Sequence, residues 1–157
     1  MTLFDVFDAL ELSAVGAAVR DSIWLFPVVE AAHLIALALL GGSVLIVDLR
    51  LLGLGLTGRT PAYLLEQARP WHLAAIAGLV ATGIPLFLSE AVKLYFSPPF
   101  WVKMGALVAA LIFTFGVRNR AIRNDVLLPA WQSRATGLCS LFLWLTVAAA
   151  GRWIGFS

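Results

Sequence analysis

Two ionisable residues interrupt a long apolar segment of this chain. Glu30 and His33 lie within Phe26–Val47, where the other side chains suit a lipid-facing helix. Residues three apart share one face of a helix, so the two side chains lie on the same side. A charged side chain at the centre of a membrane helix costs about 2.5–3.5 kcal/mol and usually faces the bundle interior. The pair is therefore the first candidate for a functional site.

His33 has the chemistry of an axial haem ligand, because imidazole nitrogen binds haem iron and a four-helix bundle offers a slot for the cofactor. The only other histidine, His72, also belongs to a membrane segment. Two histidines placed in this way favour a b-type haem, with His33 as the main ligand and His72 as a second. The alternative is that His33 is a polar residue that hydrogen-bonds to a neighbouring helix.

The depths of the two histidines decide whether one haem can use both. His33 follows Trp24 by nine residues, which puts it about 13 Å inside the membrane. If the second helix begins at Trp71, His72 differs from His33 in depth by about 15 Å. If that helix begins at Pro61, His72 lies deeper and one haem becomes feasible. Ligation between protomers, or iron bound by His33 alone, would also resolve the mismatch.

Glu30 has three candidate roles. Its carboxylate could fix the tautomer of His33, as groups behind a metal ligand do, or accept a proton during quinone reduction. It could also pair with Arg152, which lies beside Trp153 near the end of the last apolar segment. Pairing offsets much of the cost of burying a charge. A network of Glu30, His33 and Arg152 would then hold the first and fourth helices together with or without a cofactor.

The composition indicates an integral membrane protein. Hydrophobic residues make up 61% of the chain and charged residues 13%, against about 25% charged in ordinary globular proteins. So few charges cannot cover a water-facing surface. The net charge of +2 and the absence of a basic cluster with interleaved aromatics argue against a nucleic-acid partner. A lone Cys139 provides neither an internal disulfide nor a paired metal ligand.

Four apolar segments approach the ~20 residues that cross a bilayer, and a spanning segment must satisfy its own backbone hydrogen bonds. We therefore predict an all-α membrane bundle of four transmembrane helices in a single domain, 1–157. Residues 1–20 alternate apolar and acidic side chains at helical spacing and predict an amphipathic helix at the membrane interface. The predicted transmembrane helices are 23–50, 71–96, 100–118 and 135–156.

The distribution of positive charge predicts the orientation. Seven of the eleven Lys and Arg residues lie in the loops after the first and third helices. Those loops are predicted to be cytoplasmic, so both termini are predicted to be periplasmic. Asp48, at the same end of the first helix, is expected to anchor that interface or to pair with one of the loop arginines: Arg50, Arg59, Arg69, Arg118, Arg120, Arg123 or Arg134.

Three stretches carry a resemblance to other proteins: "WLFPVVEAAHLIALALLGGSVLIVDLRLLGLGL", "SPPFWVKMGALVAALIFTFG" and "LFLWLTVAAAGRWIGF". Over roughly residues 22–156 the chain resembles a family of small bacterial inner-membrane proteins of unknown function. The layout is more loosely similar to small b-type cytochromes and copper-resistance-type membrane domains. That similarity implies haem or metal bound by helix histidines, and too few histidines are present for two haems with four histidine ligands.

These observations lead to one main expectation and two alternatives. The main expectation is an inner-membrane protein that binds haem b and passes electrons, with quinone as a candidate redox partner. The first alternative is a cofactor-free scaffold or accessory subunit built around the Glu30–His33–Arg152 network. The second is a proton or small-solute pathway in an oligomer. In each case the expected partners are lipid and either further copies of the chain or other subunits of a membrane complex.

Overall fold

The computed structural model describes residues 2–123 and 129–156 of the chain, which are helical with no strand. Eight α-helices, α1 to α8, follow one another in these residues, and a π-helical turn, Phe113–Arg118, lies between α6 and α7. The α-helices are Leu3–Glu11, Ala14–Asp21, Leu25–Leu52, Pro61–Ser89, Ala91–Tyr95, Pro98–Ile112, Asn119–Arg123 and Ala130–Ile154.

Four helical segments are long and apolar enough to cross a membrane, which confirms the all-α four-helix fold: Leu25–Leu52, Pro61–Ser89, Pro98–Arg123 and Ala130–Ile154. The second begins ten residues before the predicted 71. Its start has a capping side chain, because the Thr60 hydroxyl accepts a hydrogen bond from the Tyr63 amide at 3.2 Å and Pro61 suits the first helical turn. The polar residues between Pro61 and Arg69 shorten the apolar part of this segment, but the helix continues through them.

The amino-terminal region differs from the prediction of one helix over 1–20. It forms α1 and α2, each with its own cap, at Thr2 and Ser13. Phe7 of α1 is buried against Phe87 and Tyr95, at the end of α4 and in α5. Gly16 of α2 lies so close to α4 that an added Cβ would be 2.5 Å from the Leu88 carbonyl oxygen. The apolar face predicted to lie on lipid thus packs partly on the protein.

Helices α3 and α4 form an antiparallel pair in a defined register. His33 lies opposite Thr82, Ala36 opposite Gly78, and Ser43 opposite His72. A Cβ at Gly78 would be 3.2 Å from that of Ala36, so the glycine permits this close approach. Leu40, Val44 and Ala75 fill the space between the polar levels. The register assigns each histidine of the pair a hydroxyl partner on the other helix.

The remaining helices complete an uneven bundle. Helix α8 packs against both α3 and α6, whereas α6 makes no extensive backbone contact with α3 or α4. The π-helical turn after α6 buries Thr114 and Arg118, which are 0% and 1% exposed. A π-helical turn often occurs at a functional site. Here it brings an arginine into the interior between α3 and α8.

Candidate functional site

His33 is held by a hydroxyl that fixes the position of its proton. Its Nδ1 lies 2.8 Å from Thr82 Oγ1, and Thr82 donates its own hydroxyl hydrogen to the Gly78 carbonyl at 2.6 Å. The threonine oxygen must therefore accept the Nδ1–H of the imidazole. Nε2 keeps its lone pair and has no hydrogen-bond partner among the described residues. Metal-binding histidines have the same arrangement, with the second ring nitrogen donating to a neighbouring group.

Gly83 contacts His33, Lys103 acts on it by its charge, and Gly151 contacts Lys103; with Thr82 these residues define what we call the His33 site. Lys103 of α6 is half-buried, and its positive charge acts on the imidazole. It has no ion pair or hydrogen bond within residues 2–123 and 129–156. The Lys103 Cε would lie 3.6 Å from a Cβ on Gly151, and the His33 Cε1 would lie 3.3 Å from a Cβ on Gly83. The two glycines leave room that alanines would occupy.

His72 repeats the hydroxyl arrangement at another level of the same helix pair. Ser43 donates to the Leu40 carbonyl at 2.8 Å and lies 3.1 Å from His72 Nδ1, so Ser43 accepts the Nδ1–H. The His72 side chain is only 6% exposed, and its Nε2 is buried without a partner. The rings of Phe115 and Trp144 approach edge-on at 5.6 and 6.2 Å. His72 is therefore enclosed, whereas His33 is half open.

The two histidines do not meet. His72 lies opposite Ser43, which follows His33 by ten residues on α3, so their levels differ by about 15 Å. Helix α4 does begin at Pro61, yet the register keeps the histidines apart. One haem iron ligated by both histidines of a single chain does not fit this arrangement, and the expectation of a shared haem is corrected.

The predicted pair of Glu30 and Arg152 is not formed either. Both side chains are exposed, and the Arg152 guanidinium stacks over the Phe156 ring at 4.6 Å. In the described part of the chain Glu30 has no hydrogen bond or ion pair. The role predicted for Glu30, fixing the tautomer of His33, belongs to Thr82.

Within the described residues, a buried ion pair joins Asp48 and Arg118 instead. Arg118 Nη1 lies 2.8 Å from Asp48 Oδ1, and the two side chains are 1% and 0% exposed. The guanidinium also donates to Ser140 Oγ at 3.4 Å and to Asn119 Oδ1 at 3.2 Å. The pair links α3, the π-helical turn and α8. The expectation that Asp48 pairs with a loop arginine is confirmed, but the pair lies inside the protein.

A cavity of about 370 Å³ lies beside this ion pair and is called here the arginine cavity. Its lining includes His72, Arg118 and three exposed arginines, Arg69, Arg120 and Arg123. Apolar side chains from α3, α4 and the π-helical turn complete the lining: Val47, Leu65, Ala68, Leu73 and Phe115. Sequence reasoning missed this site, because no motif marks residues that three separate helices bring together.

The fold and its buried polar groups define an α-helical integral membrane protein with four spanning helices. Across the described residues, no group of three or more His, Cys, Asp or Glu side chains is arranged to hold a metal ion. A model of the family of unknown function DUF6644 matches residues 10–157, and the chain belongs to that family. No curated protein and no solved structure matches it. The looser similarity to cytochromes and copper-resistance domains stays a prediction.

Proposed function

We propose that this protein binds a b-type haem at His33 and takes part in electron transfer, with quinone as the candidate redox partner. The observation that carries the proposal is the contact of His33 Nδ1 with a Thr82 hydroxyl that also contacts the Gly78 carbonyl, from which we infer the tautomer. Because Thr82 accepts the Nδ1–H, Nε2 has a free lone pair. His33 is also half-exposed, so this nitrogen is not enclosed as that of His72 is. A haem bound there would supply one-electron chemistry.

The surroundings of His33 support a flat anionic cofactor. Gly83 lets the His33 ring lie directly against α4, and the Lys103 side chain lies against Gly151 of α8, so both groups are positioned by close contact with a glycine. Lys103 provides a positive charge without a partner among the described residues, and a haem propionate would neutralise it. Helix α6 packs on α8 but makes no extensive contact with α3 or α4. The α3–α4 pair, which carries His33, is therefore not closely covered by α6.

The test is an optical spectrum of the protein purified from haem-replete cells. We expect a Soret band that shifts on reduction, that is lost in His33→Ala and that persists in His72→Ala. Thr82→Val should weaken haem binding 10–100-fold, because partners behind a metal ligand typically contribute that much. A colourless wild-type preparation, or a spectrum that depends on His72 and not on His33, would overturn the proposal.

The location proposed for this protein is a bacterial inner membrane, with the arginine-rich loops in the cytoplasm and both termini in the periplasm. The excess of Lys and Arg in two loops supports this orientation. A reporter that is active only in the cytoplasm, fused to the C-terminus, should be inactive. Activity of that fusion would invert the orientation.

A cofactor-free scaffold or accessory subunit is the second candidate function, and the Asp48–Arg118 pair favours it. This pair and the two histidine–hydroxyl contacts connect α3 to α4, to the π-helical turn and to α8. A scaffold needs such connections and no ligand. The optical spectrum distinguishes the haem protein from the scaffold, because a cofactor-free scaffold is colourless. In a scaffold, replacement of His33 would change stability only.

A further inference from the structure

The arginine cavity combines a positive mouth with an apolar floor. Arg118 is neutralised by Asp48, so it adds little net charge. Arg69, Arg120 and Arg123 are exposed and line the opening, and in the described residues none of them has an ion pair or a hydrogen bond. Among the described residues, no Asp or Glu lines the cavity. Its three unneutralised charges therefore attract an anion.

The position of the cavity suggests what kind of anion would enter. It lies where α3, α4 and the π-helical turn meet, at the end of the bundle that carries most arginines. The floor is apolar, with Val47, Leu65 and Leu73 among its residues. Arginines at the end of membrane helices, above an apolar surface, match a molecule with an anionic head and a hydrocarbon part. Basic pockets between membrane helices bind lipid head groups in this way.

His72 adds a second, uncharged recognition element. Its Nε2 is a buried hydrogen-bond acceptor with no partner in the part of the chain that the structure describes, and the ring lines the cavity. An acceptor of this kind prefers a hydroxyl donor to a bare phosphate oxygen. Phe115, which is 45% exposed, packs edge-on against the imidazole. Because Nε2 is buried, a ligand reaches it only if the neighbouring side chains shift, and Phe115 is an exposed one.

We propose that the arginine cavity binds the phosphodiester of an acidic glycerophospholipid whose head group carries a hydroxyl. The arginines would contact the phosphate, the apolar floor would contact the start of the acyl chains, and His72 would accept the hydroxyl hydrogen. A soluble phosphate shares the first part of this chemistry only. The proposal does not depend on haem binding, because the His33 site lies about 15 Å away along α3.

The experiment titrates the full-length protein in detergent with dioleoyl phosphatidylglycerol and obtains Kd by native mass spectrometry. We expect dioleoyl phosphatidylcholine to bind at least tenfold more weakly. Arg120→Gln and Arg123→Gln should each weaken phosphatidylglycerol binding about fivefold, since an arginine near an anionic lipid contributes about 1 kcal/mol. Arg134→Gln is the matched control, because Arg134 is exposed and does not line the cavity.

The hydroxyl is tested with phosphatidylmethanol, which has the same phosphodiester charge but no head-group hydroxyl. The wild-type protein should prefer phosphatidylglycerol about fivefold, the value of one hydrogen bond. His72→Phe should remove that preference while it leaves the dependence on Arg120 intact. Equal binding of both lipids by the wild-type protein would overturn the role of His72.

Further outcomes decide whether the bound anion is a lipid or a soluble phosphate, and whether it binds in the arginine cavity. Competition by millimolar inorganic phosphate would support the oxyanion site and assign it to a soluble anion, whereas no competition supports the lipid. Equal Kd values for phosphatidylglycerol and phosphatidylcholine would overturn the proposal. So would an equal loss of binding in Arg134→Gln and Arg120→Gln, because binding would then follow net charge and not the cavity.

Discussion

The two histidine levels of the α3–α4 pair share one local arrangement and differ in what surrounds it. In each, a hydroxyl on the opposite helix accepts Nδ1–H after donating its own hydrogen to a backbone carbonyl. His72 is 6% exposed between aromatic rings and lies near an ion pair. His33 is half-buried against Gly83 and near Lys103, which has no ion pair or hydrogen bond within the described residues. The function of a histidine in such a bundle depends on what covers Nε2.

The two levels also differ in how firmly the helices are held together and in how accessible the imidazole is. The level of His72 is supported by the Asp48–Arg118 pair and by Trp144, whose Nε1 donates to Thr114 at 3.1 Å. No comparable network surrounds His33 in the described residues. The polar network at the His72 level ties the helices together, whereas His33 is only half-buried within the protein.

The largest expected effect comes from breaking the Asp48–Arg118 ion pair near the His72 level. Asp48→Asn leaves the Arg118 guanidinium buried without its counter-charge and should lower the free energy of unfolding by about 3–5 kcal/mol. The measurement is unfolding of the detergent-solubilised protein. Glu90→Gln is the control, because its pair with Lys93 at 3.8 Å is exposed and contributes at most about 1 kcal/mol.

A double variant distinguishes loss of the pair from loss of a single charge. Asp48→Leu combined with Arg118→Met removes both charges and should recover much of the stability, since apolar replacements of buried pairs are often neutral. If Asp48→Asn alone is as stable as the wild-type protein, the contrast between a supported and an unsupported level fails.

The second-largest effect is expected from replacing the hydroxyls of Ser43 and Thr82, which can be compared directly. Ser43→Ala leaves the His72 Nδ1–H unpaired in the interior, which should cost about 1–3 kcal/mol of unfolding free energy. Thr82→Val should cost less than about 1 kcal/mol, because His33 is only half-buried within the protein and its ring is freer to change rotamer than the enclosed His72 ring. Thermal unfolding of both variants in the same detergent measures the difference. A larger loss in Thr82→Val would reverse our ranking of the two levels.

The smallest expected effect tests whether Gly83 shapes the His33 site. Gly83→Ala gains helix propensity of about 1 kcal/mol but puts a Cβ 3.3 Å from the His33 ring, so stability should change by less than about 1 kcal/mol. Haem retention, measured as the Soret absorbance per protein, should fall. Gly41→Ala is the matched control, since nothing lies within 4 Å of its added Cβ. Unchanged retention in Gly83→Ala would show that the glycine does not shape the site.

Several elements could be predicted because their signals are local. Length and hydropathy are sufficient to identify four spanning helices, since a lipid interior admits few alternatives. Helix ends were less predictable. The start of α4 at Pro61 depends on a cap at Thr60, and the apolar segment that marks the membrane begins later. The break between α1 and α2 likewise depends on the cap at Ser13.

The partners of the polar residues were not predictable in the same way. Glu30 and Arg152 looked complementary because each is a lone charge at a similar depth, yet helix rotation leaves both exposed. Ser43 and Thr82 are weakly polar and carry no signal in an apolar sequence until the register of two helices brings each opposite a histidine.

Four apolar segments of about 20 residues were enough to predict a helical membrane protein, because a segment of that length crosses a bilayer as a helix that satisfies its own backbone groups. The sequence also marked His33 as an exception to its surroundings. Only the tertiary structure decided that His33 and His72 work at separate levels and that Arg118 reaches Asp48. The reason is that helix register, helix rotation and a π-helical turn result from packing between distant segments, and no single segment encodes them.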